Sequence, residues 1–111
     1  MKWTLFVSAG VAVLAVSTVS ASANDTGLAG IHDLRREGKK LCMSDHFHNG
    51  NSAAQPSKAA ALQAAISSWA GFTSLEYGSA WASFKKAASK QVTCTQGASG
   101  WGCDINARPC K

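Results

Sequence analysis

No Gly-x-Ser-x-Gly elbow, no acid–His arrangement supporting a serine triad and no glycine-rich phosphate loop occurs in this chain. The local signatures of serine hydrolases and of phosphate-binding folds are therefore missing. No Cys-x-x-Cys pair is present and the cysteines are widely spaced, which argues against structural zinc. Long hydrophobic runs are missing too. The longest mostly apolar stretch, residues 5–16, is shorter than the roughly 20 residues that cross a bilayer. There is no internal repeat, and no linker divides the chain. Acidic residues are few, six against eleven Lys and Arg, but the resulting +5 is mild for this size. It suits a solvated surface, with an unknown protein or an anionic envelope component as the expected partner and nucleic acid not expected.

The front of the chain carries an export signature. Lys2 precedes the apolar run, and Ala21-Ser22-Ala23 supplies the small-x-small pattern that a signal peptidase reads. Residues 1–23 are predicted to be a cleaved signal peptide, leaving residues 24–111 with no transmembrane segment, in the periplasm or secreted.

All four cysteines fall in that mature part. An even count in a short exported chain points to two disulfides, and three pairings are possible. Sequence alone does not choose among them, but local pattern favours one. Residues 91–95 and 101–107 alternate as strands around the turn-like Gln96-Gly97-Ala98-Ser99-Gly100. Pairing Thr95 near Gly102 sets Cys94 opposite Cys103. Cys42 then joins Cys110.

The clearest element is a helix over residues 57–78. Ser57 is the N-cap candidate, Pro56 marks the boundary and Gly78 offers a stop. Leu62, Ile66, Trp69 and Phe72 recur at steps of three and four, which predicts an inward face. Gly71 either weakens the helix or admits a neighbouring backbone. Elsewhere the pattern is thinner. Residues 24–30 read as a loose terminus, 31–40 as one or two helical turns, and 45–56 as a polar loop. Residues 79–90 fit a short helix or a bulged strand. The expected fold class is α+β: one long amphipathic helix on a small antiparallel sheet (a hairpin or three strands), stapled by disulfides. Residues 24–56 form an N-terminal segment and polar loop that join a core over 57–111 in one domain. Trp69, Trp81, Phe84 and Trp101 should supply much of that core.

From Cys42 through the HFHNG loop, AAISSW, EYGSAW, GWGC and the terminal ARPCK, the chain resembles an uncharacterised family of small exported proteobacterial proteins with a cysteine-bearing C-terminal domain. The resemblance implies a signal peptide and a compact domain. It brings no catalytic residues.

Asp45-His46-Phe47-His48, with His32 upstream, is the most suggestive constellation. In an extended stretch His46 and His48 project to one side, and neutral imidazoles suit copper, zinc or nickel. Asp45 could ligate through oxygen or orient a ring. Two histidines need a third ligand, however, and the alternative is a polar loop with Phe47 tucked inward. A nuclease would need a base, an acid and a cation from among His46, His48, Glu76 and Arg108, whose spacing does not gather them. Catalysis is not expected, and no cofactor is. Trp101, between two glycines at the end of the turn, is a candidate for partner contact, though packing is the simpler expectation. The expected function is a non-catalytic binding or structural module of the envelope, the alternative being metal binding through residues 45–48.

Overall fold

The computed structural model describes residues 10–15 and 24–111. The cleavage motif and most of the expected leader lie outside the described residues. A short 3-10 helix, Leu28–Ile31, leads into a hairpin of β1 (Leu34–Glu37) and β2 (Lys40–Met43). After it come β3 (His48–Asn51), helix α1 (Lys58–Tyr77), a 3-10 turn at Ser79–Trp81, and the hairpin β4 (Ala88–Gly97) and β5 (Gly100–Arg108). The strands make two antiparallel sheets, β1-β2 and β3-β5-β4. No described helix is long and apolar enough to cross a membrane.

The helix begins and ends where its sequence signals stand. The Ser57 hydroxyl accepts from the Ala60 amide at 3.1 Å, which satisfies one of the unpaired first-turn donors. Gly78 closes the helix at φ 101°, a backbone that L side chains rarely adopt. Its ψ of 162° is extended, so this is not the left-handed cap that the sequence suggests. A Cβ there would also strike Asn24 and Asp25. The chain before the first 3-10 helix crosses the helix end at this point. Thr26 donates to the Tyr77 carbonyl at 3.0 Å, and Ala80 donates to that of Asn24 at 2.8 Å. The expected loose terminus is thus docked.

The buried stripe of α1 is Ala61, Ala65, Trp69, Thr73 and Tyr77, every fourth residue. Leu62 and Ile66 flank it, whereas Phe72 and Leu75 are exposed. This rotates the helix away from the expected Leu62–Phe72 face. The cause is close approach of β3. A Cβ on Gly50 would run into the Ala65 carbonyl and lie 2.7 Å from the Trp69 Cβ. Small residues, rather than Gly71, let the two backbones touch. Around Gly71 there is open space.

Two apolar clusters result. Ala61, Ala65 and Trp69 pack on Ala87, Cys103, Ile105 and Ala107, with Phe84 and Trp101 partly buried at the margin. Tyr77 and Trp81 pack with Ala29 and Met43 beneath the β1-β2 hairpin. Among the described segments, residues 31–40 are mostly strand rather than helical turns. The loop expected over 45–56 contains β3, and 79–90 divides between a 3-10 turn and the start of β4. Val92, on the side of β4 that carries Cys94, is half exposed. Cys94 faces Cys103 in the expected register, Thr95 facing Gly102. The disulfides are Cys94–Cys103 and Cys42–Cys110.

Candidate functional site

The last turn of α1 lies against the segments on either side of the β1-β2 hairpin. His32 comes between the first 3-10 helix and β1, His46 between β2 and β3, and His48 opens β3. All three histidines and the sole tyrosine of the chain meet there. The rings of His32 and His46 stack with centroids 4.2 Å apart. Tyr77 is fully buried beneath them, edge-on to both and 5.0 Å from His48. Burial and the neighbouring Glu76 carboxylate push its phenol well above the usual range. Its oxygen lies 2.8 Å from His32 Nε2.

His32, His46 and Glu76 each offer a ligand atom, and these atoms all lie within 4.8 Å of one another. A cleft of about 280 Å³ is lined by His32, Asp33, Asp45 and His46, whereas Glu76 lines the adjoining groove together with His46. Of the residues singled out in the sequence, His46 is at the centre and Asp45 at the rim. His48 is differently placed. Its ring is almost wholly buried, with Nδ1 3.0 Å from Thr73 Oγ1 and Nε2 3.2 Å from Glu76 Oε2. The Thr73 hydroxyl also reaches the Trp69 carbonyl at 2.7 Å. With Nε2–H directed at Glu76 in the neutral ring, Nδ1 is satisfied only if the single Thr73 hydroxyl proton leaves the Trp69 carbonyl for it. His48 therefore stands behind Glu76 and fixes its carboxylate, as an outer hydrogen-bond partner fixes a metal ligand. Glu76 and Tyr77 complete the cluster from across the chain. Glu76, a candidate from the sequence, is brought to His46 and His48 although their spacing does not gather them, while Arg108 stays apart.

The electrostatics favour neutral imidazoles. Burial holds His48 below its ordinary value of 6.5, with His46 and His32 adding to the shift and Glu76 opposing it. Burial and the nearby His32 lower His46 in the same way. A base whose folded pKa is depressed binds fewer protons folded than unfolded. Its contribution to stability is present above pH 6.5 and is lost as pH falls through the folded value. The denaturation midpoint should therefore drop between pH 7 and pH 5. The double variant His46→Gln/His48→Gln should show a flatter profile over that window, read by urea titration at half-unit pH steps.

The other candidates lie elsewhere. Arg108 directs all five N–H donors to Glu37, Met43 and Ser89 and keeps none for a phosphate. Glu37 also lies near Cys42 and Cys110, but those sulfurs are joined and offer no thiolate. Trp101 exchanges backbone hydrogen bonds with Gln55 at 2.8 and 2.9 Å and packs at the core margin. The chain matches no protein-family model, no curated protein and no solved structure.

Proposed function

We propose that this is a small exported, non-catalytic binding module whose ligand is a divalent transition metal, zinc or copper, held by His32, His46 and Glu76. The observation that carries the reading is the convergence of those three donors within 4.8 Å. It gives His46 two further donors, His32 and Glu76, that sequence spacing alone does not bring to it. Two imidazoles and a carboxylate form a donor set used for zinc, and imidazole also suits copper. Ligands about 2.0–2.2 Å from one ion stand about 3.3 Å apart, so loading draws this cluster inward. Burial lowers the proton affinity of His46, so this ligand does not need to shed a proton at neutral pH. Export is supported by the leader pattern and by two disulfides, which persist in oxidising compartments.

The test is native mass spectrometry and calorimetry on protein from an export-competent host, purified without chelator and then titrated with zinc, copper(II), nickel and iron(II). The expected mass is that of residues 24–111 less four hydrogens, with one ion of zinc or copper bound. His46→Ala and Glu76→Gln should each weaken binding more than about tenfold, since loss of an outer partner alone commonly costs 10–100-fold. His48→Gln should weaken it less. Affinity that ignores His32→Ala and His46→Ala, or no stoichiometric binding at all, rejects the site.

A further inference from the structure

Beside this cluster, β3 is an edge of the three-stranded sheet, and its outer side opens into a groove against α1. The groove is about 500 Å³. One wall is the whole of β3 with Phe47, and the other is Ser68, Phe72 and Glu76, spaced every fourth residue along α1.

Hydrogen bonding fixes which backbone groups face it. Ser52 donates to the Cys103 carbonyl at 2.9 Å, whereas the Asn51 amide donates to Ser68 Oγ at 3.4 Å, so α1 closes the groove at that end. Residues alternate along an antiparallel strand. His48 and Gly50 therefore share the orientation of Ser52 toward β5. Asn49, like Asn51, turns its N–H and C=O to the outer side. A strand edge of this kind offers donors and acceptors at the spacing of another extended backbone. Above it stand two apolar side chains, Phe72 at 64% exposure and Phe47 at 37%. The other edge, β4, enters through an irregularity at Ser89 and Lys90, a device that discourages pairing.

We infer that this groove binds an extended peptide segment of a partner protein, which adds as a fourth strand on β3 and seats one apolar side chain between Phe47 and Phe72. The unpaired main chain of Asn49 selects a backbone as its occupant, and the two phenylalanines select an apolar residue. The helix wall limits the added segment to a single strand. The groove shares His46 and Glu76 with the proposed metal site, but strand pairing on β3 needs no ion.

The experiment uses the full disulfide-bonded protein, labelled with nitrogen-15, in the presence of EDTA. The probes are pools of acetylated, amidated hexapeptides with Phe, Leu, Ile or Val at a central position and Ser or Thr around it. At least one pool should shift the amides of Asn49, Asn51 and Phe72 and slow hydrogen exchange at Asn49. Methylating the alternate peptide nitrogens that pair with β3 should weaken binding more than tenfold. Phe72→Ser, on an exposed position that leaves the core intact, should do the same. The proposal is overturned if no pool shifts these amides at millimolar concentration, or if N-methylated peptides bind equally well. It is also overturned if the amides shift on simple dilution without peptide, which would make a second copy of this chain the occupant.

Discussion

Replacing Cys42 and Cys110 together by alanine should lower the stability of this protein by roughly 4 kcal/mol, the loop-entropy estimate for a bridge of this span. The bridge closes a sequence separation of 68 residues, against 9 for Cys94–Cys103. On the same model the short bridge is worth roughly 2.5 kcal/mol. The long bridge also holds a seam. Leu41 and Lys111 exchange backbone hydrogen bonds at 2.9 Å, and Met43 donates to the Pro109 carbonyl at 3.0 Å, so the C-terminal residues lie along β2. A domain of this size buries a small core, and one staple is a large share of its margin. Urea unfolding of both alanine pairs, monitored by tryptophan fluorescence, checks the order. A larger loss at Cys94–Cys103 would mean that local packing, not chain closure, dominates.

The legible parts of this fold are the ones specified by neighbours in sequence. Ser57 starts the helix because an N-cap involves only the adjacent turn, while Gly78 stands at the expected stop but is held open by the crossing of Asn24 and Asp25. Cys94 and Cys103 could be paired because the turn between them sets the register. What could not be read depends on distant partners. His48-Asn49-Gly50-Asn51 has no β-branched or aromatic residue, and its composition belongs to a loop. It is a strand because β5 pairs with it and because Gly50 lets it lie flat on Ala65 and Trp69. That same contact turned the helix, putting alanine inside and Phe72 outside. A hydrophobic count favours the larger side chains, whereas a close-packed contact needs the smaller ones.

The candidate metal site divides the same way. His46, with Asp45 and His48 beside it, stood out because the residues are consecutive. His32 lies 14 positions away from His46 and Glu76 lies 30, and only the fold brings them together. The extended alternation that puts His46 and His48 on one side does not say that one ring will be buried. Thr73 and the end of α1 decide that. His48 consequently sits buried between Thr73 and the Glu76 carboxylate.

Arg108→Met should cost about 3–5 kcal/mol, the range for breaking a buried ion pair, while leaving secondary structure in place. Arg108 is 4% exposed. Its guanidinium makes paired 2.8 Å bonds to Glu37 on β1, a 2.6 Å bond to the Met43 carbonyl on β2, and two 3.1 Å bonds to Ser89 on β4. It is the polar tie between the two sheets. Ser89 stands at the irregularity of β4 with φ 52°, a costly backbone for serine. Its hydroxyl is thereby aimed at Arg108, which gives the strain a use. Glu37→Gln should cost less, because that carboxylate is partly exposed and an amide can still accept one bond. The two variants also separate in acid. Arg108 holds the Glu37 carboxyl below its ordinary 4.5, so this contribution is present above pH 4.5 and is lost as pH falls through the depressed value. Either substitution should remove that part of the acid limb. The limb due to Asp25, which the Gly27 amide and Lys111 hold below 3.8, should remain. Denaturant midpoints measured from pH 6 to pH 2.5 give both readouts. If Arg108→Met keeps the full wild-type acid limb, the Glu37–Arg108 pair does not join the two sheets in solution.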